Sequence, residues 1–203
     1  MTVLWVDLIA EMGGAQRSLL EVCSSLSAVG VSAAAAVPRG PLHDALARAG
    51  VTVYPVSPVR ATRRGWRLFS SAAKLLRAPS SVAQIVRAVK PDIVHANSLT
   101  AFLATSHVSA RTPVFWHVRD RRLPAPVARA ASRRAARIIA VSDAIDEHLV
   151  DILSPRLLGR IRVIRNGIDV ARFVPGDKAA ARRAFGLPPG APVVGMVAHL
   201  VPW

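Results

Sequence analysis

Short apolar runs alternate along the chain with longer segments in which apolar residues recur at helical spacing. The runs that have the length of β-strands are residues 3–9, 31–37, 51–56, 92–96, 113–118, 137–142 and 161–167. The predicted helices are 15–30, 41–50, one or two helices broken near Pro79 within 66–90, 98–109, 125–136 and 144–153. This alternation predicts an α/β fold with a doubly wound, Rossmann-like parallel sheet, because parallel neighbours need a crossover connection.

The pattern changes near the carboxyl end of the chain. Proline and glycine cluster around a short predicted helix within residues 174–192, and the apolar run 193–201 then predicts a new buried strand. A length of 203 residues allows one full domain and the start of a second. We therefore predict a Rossmann-like domain over 1–170, and a linker with the first strand of a truncated second domain over 171–203.

Ligands of doubly wound sheets bind beyond the carboxyl ends of the strands. Candidate functional residues are therefore those that directly follow the predicted strands. They are Gly13 and Gly14, Arg39, Asn97 and Ser98, His117 to Asp120, Ser142, and Asn166 and Gly167.

The adjacent Gly13 and Gly14 lie between the first strand and the first helix. A glycine turn at a helix N-terminus exposes backbone N–H groups and suits a phosphate. A dinucleotide fingerprint needs three spaced glycines and an acidic residue after the second strand, where this chain has Pro38-Arg39-Gly40. A P-loop needs Gly-Lys-Ser/Thr, which the chain lacks. Another phosphate site and a plain tight turn both stay open.

The net charge of +15 is unevenly distributed, since residues 48–137 hold 17 Lys and Arg against two acids. Such an excess attracts polyanions: nucleic acid, an anionic membrane or phosphorylated substrates. The alternative is an arginine-rich composition dispersed over a solvated surface. No nucleic-acid-binding motif or series of aromatic residues accompanies the charge, so we expect no nucleic-acid partner.

Cysteine usage and the amino terminus predict a cytoplasmic location. The lone Cys23 excludes an internal disulfide and lies among apolar helical positions, which predicts a buried thiol. The first residues lack a basic region, and Asp7 interrupts their apolar stretch, so a signal peptide is not expected. No apolar run reaches the roughly 20 residues that span a bilayer.

The motifs MGGAQRSLLEV, PDIVHANS, FWHVRD, RIIAVSDAI and VIRNGIDVARF occur in this order. Together with VVGMVAHLVPW, they resemble the family 4 glycosyltransferases, which have the GT-B fold, over nearly the whole chain. The resemblance implies two Rossmann-like domains that face across a cleft, with the acceptor on the first and a nucleotide-sugar on the second. It also implies sugar transfer with retention of anomeric configuration, without a metal and with no cofactor besides the nucleotide-sugar co-substrate.

The same resemblance assigns roles to single residues. Gly13 and Gly14 are similar to a loop that approaches the donor diphosphate. His117 is similar to a histidine that reaches the transferred sugar and is the candidate catalytic residue; the alternative is a histidine satisfied by its neighbours. Arg119 and Asp120 either shape the acceptor pocket or form an ion pair.

Four further residues carry open or structural interpretations. Asn97 and Ser98 either face the acceptor or cap the following helix. Asn166-Gly167 resembles the interdomain turn, with a structural role.

The chain departs from the family pattern on the donor side. The family has an arginine where this chain has His199, a remnant of the donor site and a weaker phosphate ligand. The family's donor-site lysine would follow Trp203, and its paired glutamates are absent. We therefore predict that these residues hold the acceptor half and have little transferase activity alone.

The segment 60–90 has eight Arg and Lys, no acid, and several large apolar residues. It resembles an interfacial amphipathic segment that reaches lipid-linked acceptors at the inner face of the plasma membrane. The alternative is an amphipathic core helix whose basic face is solvated.

The leading hypothesis is thus a nucleotide-sugar-dependent glycosyltransferase acting on a cell-envelope or other glycan or lipid-linked acceptor. The alternative is a non-catalytic module, derived from a truncated glycosyltransferase, that binds a glycan or an anionic membrane.

Overall fold

The computed structural model describes residues 1–59, 67–121 and 123–197, and residues 67–76 by their backbone alone. Seven parallel strands form one sheet in the order β3-β2-β1-β4-β5-β6-β7. The strands are β1 Thr2–Val6, β2 Ser32–Val37, β3 Thr52–Pro55, β4 Ile93–Ala96, β5 Val114–Val118, β6 Arg137–Ala140 and β7 Ile161–Val163. The order reverses at β1 and β4, so the doubly wound prediction is confirmed, and the switch point lies between these two strands.

Helices connect the strands. They are α1 Gly14–Ser25, α2 Pro41–Arg48, α3 Arg67–Val89, α4 Leu99–Leu103, α5 Ala125–Ser132, α6 Asp143–Ile152, α7 Pro155–Leu158 and α8 Lys178–Ala184. A 3₁₀ turn, Leu26–Val29, extends α1 to Gly30, whose φ of 71° ends the helix in the left-handed region.

Two apolar clusters cover the two faces of the sheet. One contains Leu4, Val94 and Trp116 together with residues of α3 to α6. The other contains Trp5 and Leu19 together with residues of α2. Alternate residues of β1 belong to different clusters, as expected for a strand that is buried on both faces.

The buried-thiol prediction for Cys23 is confirmed. Burial raises the pKa of its thiol to about 12, so the nucleophilic thiolate is not populated near neutral pH.

The clearest differences from the predicted helices occur at α3 and α4. α3 continues through Pro79 instead of breaking there. The packing of Val82 and Val86 against the sheet explains this, since tertiary contacts offset the lost backbone hydrogen bond of a proline. α4 is shorter than the predicted 98–109 and is followed by turns.

The chain divides into two compact units, Met1–Asn166 and Gly167–Trp203. In the second unit, α8 begins after Asp177, whose side chain accepts a hydrogen bond from the N–H of Ala179 at 2.8 Å. The strand predicted over 193–201 is not formed over its described part, residues 193–197. Val194 is fully exposed there, and a strand without a neighbouring strand leaves its backbone unpaired. The identity of this unit stays a prediction.

Candidate functional site

Polar side chains gather at the carboxyl ends of β1, β4 and β5, beside the switch point of the sheet. Asp7 follows β1, Asn97 follows β4, and Arg119 follows β5. Because these strands are parallel neighbours, the residues that follow them meet at one edge.

Asp7 is fully buried, and its carboxylate accepts three hydrogen bonds. Its Oδ1 accepts from the backbone N–H of Ile9 at 2.9 Å. Its Oδ2 accepts from Nε2 of Gln16 at 3.0 Å and from Nδ2 of Asn97 at 2.7 Å. These donors compensate for the removal of the carboxylate from water.

The glycine pair is tied to Asp7 through Gln16. Oε1 of Gln16 accepts from the N–H of Gly13 at 3.2 Å, while its Nε2 donates to Asp7. Neither Gly13 nor Gly14 is among the described glycines with positive φ, so the turn itself does not demand glycine. A Cβ at Gly13 would lie 3.0 Å from Oε1 of Gln16, whereas at Gly14 it would meet nothing within 4 Å.

The space at Gly14 lies where α1 begins, and the first N–H groups of a helix have no partner within the helix. This arrangement fits a close approach of an anionic group better than it fits a conformational need for glycine. The phosphate role of Gly13 and Gly14 stays a prediction.

Arg119 connects three side chains. Its Nε donates to Oδ1 of Asn97 at 2.9 Å, its Nη1 to Oδ1 of Asn166 at 3.0 Å, and its Nη2 lies 3.2 Å from Nδ1 of His117. Asn166 also accepts from the hydroxyl of Ser18 at 3.0 Å. Burial lowers the pKa of Arg119 to about 10, and the negative charge of Asp7 opposes that shift.

His117 and His95 form a buried pair, with Nε2 of His95 3.2 Å from Nδ1 of His117. The ring of Trp5 stacks on His95, with ring centroids 3.8 Å apart. Burial, and then the charge of Arg119, lowers the pKa of His117 to about 3. Burial first, then the charges of His117 and Arg119, lowers the pKa of His95 well below its ordinary value. Both rings are therefore neutral at pH 7.

The other ring nitrogen of His117, Nε2, takes no part in this pairing. Its Nε2 is buried and makes no hydrogen bond within the described part of the chain. A buried polar atom without a partner is uncommon and marks a place where a ligand or water completes the bonding. Nε2 is covered in this structure, so a ligand reaches it only after the covering groups shift.

The structure thus brings together four of the residues that the sequence singled out as site residues. Gly13, Asn97, His117 and Arg119 belong to one chain of hydrogen bonds that runs through Asp7. Asn97 is buried inside this chain, so its side chain does not cap α4.

Ser98, Asp120 and His199 are three further predicted site residues. Ser98 caps α4, because its hydroxyl accepts from the N–H of Ala101 at 3.2 Å. Asp120 is exposed. His199 lies outside the described residues, so its donor-side role is untouched. The roles of Ser98 and Asp120 toward an acceptor stay predictions.

Sequence reasoning missed three members of the network: Asp7, Gln16 and His95. In the sequence, Asp7 interrupts an apolar stretch, and a charge at the end of a strand next to a glycine turn is a signal for a buried polar site. Gln16 carries a weaker signal, since glutamine at the third position of a helix often bonds back to its start. His95 gave none, because its partner His117 is 22 residues away.

Metal-binding clusters and membrane-spanning helices are both absent among the described residues. No group of three or more His, Cys, Asp or Glu side chains among them is placed to hold a metal ion. None of their helices has the length and apolar character to cross a bilayer. The predicted absence of a metal requirement, the cytoplasmic location and the contact with an inner membrane face stay predictions.

Comparison with known proteins gives a family match over most of the chain. The family model described as Glycosyltransferase Family 4 matches residues 12–172, a range that leaves out Asp7 and contains the side chains that bond to it and to Arg119.

Relatives of known name match shorter segments. The D-inositol 3-phosphate glycosyltransferase of Mycolicibacterium gilvum is 52% identical over 44 residues, which is 22% of this chain and 10% of that protein. The D-inositol 3-phosphate glycosyltransferase 2 of Catenulispora acidiphila is 41% identical over 68 residues, 34% of this chain and 16% of that protein.

Solved structures match nearly the whole chain. The Anabaena protein Alr3699/HepE, in complex with UDP-glucose, has a TM-score of 0.66 at 19% identity and is matched over 92% of this chain and 50% of its own. A glycosyltransferase from Rickettsia africae has a TM-score of 0.67 at 19% identity, with coverages of 94% and 51%. The chain thus has the fold of one half of these proteins and spans about half of their length.

Proposed function

The chain belongs to glycosyltransferase family 4, and we propose that it forms the acceptor-binding half of an enzyme that transfers a sugar from a nucleotide-sugar with retention of configuration. The observation that carries the proposal is the buried network at the switch point. Its hydrogen bonds connect Gly13, at the start of α1, with His117, whose Nε2 has no partner among the described residues. A network of this kind costs stability unless every member is satisfied, which favours a functional role.

In the proposed reaction, His117 binds a hydroxyl of the transferred sugar through Nε2. A neutral imidazole suits this task at pH 7, since it bonds the sugar without placing a full charge in the pocket. Gly14 leaves room for the donor diphosphate near the N-terminus of α1, where the helix dipole favours negative charge. Only the nucleotide-sugar is required as co-substrate.

The acceptor is proposed to bind at the same edge, near Arg119 and Asn97. The relatives named above are D-inositol 3-phosphate glycosyltransferases, so a polyhydroxylated, anionic molecule is a suitable first probe. Arg119 supplies the positive charge that would favour it, and Asp120 and Ser98 are further candidates for acceptor contacts. A glycan or lipid-linked acceptor of the cell envelope remains within this proposal.

We further propose that these residues transfer sugar slowly or not at all without a donor-binding domain. Membrane binding through residues 60–90 stays a prediction. Residues 60–66 and the side chains of 67–76 are not among the described parts of the chain. The non-catalytic module remains the alternative if binding occurs without transfer in every form of the protein.

The test compares the chain alone with the chain followed by the carboxy-terminal domain of a matched relative. Both are incubated with UDP-glucose and D-inositol 3-phosphate, and the product is analysed by NMR. The two-domain form should give product with retained configuration, and His117→Ala should lower its turnover tenfold or more. Arg160→Ala, at the other end of the sheet, is the matched control and should leave turnover unchanged.

Two outcomes would contradict the proposal. A folded two-domain form that binds both substrates without transferring sugar would favour the non-catalytic module. Normal turnover of the His117→Ala variant would remove His117 from the site.

A further inference from the structure

We propose that Arg119 is a positioning residue that keeps the proton of His117 on Nε2, so that this histidine offers a ligand a hydrogen-bond donor and no acceptor. The inference rests on the proposed function for its use, but the hydrogen-bond chain that carries it is independent of any substrate. At one end of that chain, the chemistry of a carboxylate fixes the direction of donation.

Asp7 fixes the first direction. An ionised carboxylate only accepts hydrogen bonds, so the Asn97 side chain turns its NH₂ group to Asp7, at 2.7 Å. The amide oxygen of Asn97 must then face the other way. It lies 2.9 Å from Nε of Arg119.

Arg119 fixes the second direction. A guanidinium only donates, and two of its N–H groups are spent on the side-chain oxygens of Asn97 and Asn166. Two anchors on different segments hold the planar group in one orientation. That orientation places Nη2 3.2 Å from Nδ1 of His117, so Nδ1 presents its lone pair and carries no proton.

The position of the His117 proton follows. Because the ring is neutral and Nδ1 is bare, the single proton resides on Nε2. The same lone pair faces Nε2 of His95 at 3.2 Å, so His95 donates to it through its own Nε2–H. Stacking of Trp5 on the His95 ring helps to hold that donor in place.

This polarity limits what His117 can do. Through Nε2–H it donates to a sugar oxygen and stabilises charge that develops there. Nε2 already carries the proton and has no free lone pair. It becomes an acceptor only after Nδ1 is protonated and Nε2 releases its own proton. The imidazolium on that route would lie beside the Arg119 cation, which the buried site disfavours. His117 therefore acts as a hydrogen-bond donor and not as a general base.

The experiment measures the tautomer of His117 directly, in the ¹⁵N-labelled chain at pH 7, from long-range ¹H–¹⁵N correlations of its imidazole. The chain has six histidines, and the His117→Gln spectrum assigns the signals of interest. The unsubstituted chain should show only the Nε2–H form at His117. No substrate is present, so a failed tautomer prediction and a failed transferase assay are separate results.

Substitutions at Arg119 then test cause. Arg119→Met keeps the apolar stem and removes all donors, and the Nδ1–H form should rise to at least about a tenth of the population. Arg119→Lys retains a group that only donates and should restore Nε2–H in part. Arg160→Ala, whose guanidinium bonds backbone carbonyls at the opposite end of the sheet, should leave the tautomer unchanged.

The inference is overturned if the unsubstituted chain shows Nδ1–H or a protonated ring at His117. It is also overturned if Arg119→Met folds and retains Nε2–H alone. Should Arg119→Met not fold, Asn166→Ala removes one anchor of the guanidinium at an exposed position. That variant should show a smaller but measurable rise of Nδ1–H, and no rise would count against the inference.

Discussion

The two ends of the sheet use arginine in different ways. At the carboxyl end, Arg119 donates to side chains that are themselves held by a buried carboxylate. At the amino end, Arg160 donates to the backbone carbonyl of Ala135 at 2.8 Å, and Arg134 donates to that of Val108 at 2.9 Å. At the amino end, each of these hydrogen bonds ends on a backbone carbonyl. At the carboxyl end, each side chain that accepts a hydrogen bond is itself bonded to another side chain, so the direction of donation at one residue fixes the direction at the next.

This difference bears on how the excess of basic residues over 48–137 is interpreted. Arg134 and Arg137, both within the basic middle of the sequence, donate to backbone carbonyls of their own neighbourhood. For these two residues, the structure gives a local role that needs no polyanion. It favours the interpretation of the arginine excess as composition there, and it does not extend to residues 60–66, which are not described.

The largest expected effect is the difference in stability loss between removing an acidic side chain at the carboxyl end of the sheet and removing one at the amino end. Asp7→Ala should lower the free energy of unfolding by about 3 kcal/mol, because it leaves buried donors of Gln16 and Asn97 without their acceptor. Asp92→Ala at the amino end removes an exposed hydrogen bond to the N–H of Thr2 and should cost much less. Urea denaturation of both variants measures the difference, and equal losses would show that burial of Asp7 has no special weight.

The second prediction concerns pH. The pKa of His117 is lowered to about 3, so the unfolded chain binds its proton first as the pH falls below about 6.5. Stability that is present above pH 6.5 is therefore lost progressively toward pH 3, at up to about 1.4 kcal/mol per pH unit for this group. His117→Gln should flatten the loss measured by denaturation between pH 6.5 and 4. An unchanged slope would mean that the folded chain accommodates the charged ring.

A third, smaller effect tests the amino end. Arg160→Ala should lower the free energy of unfolding by about 1 kcal/mol, since the carbonyl of Ala135 loses a charged donor near the start of β6. The NMR signals of His117 should stay in place. If they move, the two ends of the sheet are coupled and do not act independently.

The smallest effect compares a glycine at each end. Gly30→Ala, at a φ of 71°, should destabilise the chain by about 1 kcal/mol, because an L-residue is strained there. Gly14→Ala at the carboxyl end meets open space and should change the free energy of unfolding by less than about 0.5 kcal/mol. In the two-domain form, the same Gly14→Ala substitution should nevertheless raise the KM for the nucleotide-sugar. A large stability loss at Gly14 would return it to a structural role.

Much of the fold could be predicted because it is written in local periodicity. Each observed strand lies within a predicted apolar run, except that β1 begins one residue earlier, at Thr2. The 3₁₀ turn that follows α1 ends at the predicted Gly30. The errors fall where distant contacts decide, as at Pro79, whose helix is held by packing on the sheet. The strand prediction for residues 193–197 is wrong for a related reason, because an apolar run forms a stable strand only beside a neighbouring strand.

The position of the candidate site was predictable from the sequence, but most of its hydrogen-bond pairings were not. The strand-end rule gave Asn97, His117 and Arg119, and all three lie in the network. It could not give the hydrogen bonds between Asn97 and Asp7 or between His95 and His117, because those join residues 90 and 22 positions apart. Directions of donation depend on such pairings and appear only once the strands are in register.

The most direct test of the central claim is a ¹H–¹⁵N titration of the chain with D-inositol 3-phosphate and, separately, with UDP-glucose. The claim is that the carboxyl end of the sheet, with Gly14, His117 and Arg119, is the ligand-binding end. It predicts that shifts for at least one ligand centre on these residues and are lost in Asn97→Ala, while residues near Arg134 and Arg160 stay still. Shifts confined to the Arg134 and Arg160 end would contradict the claim.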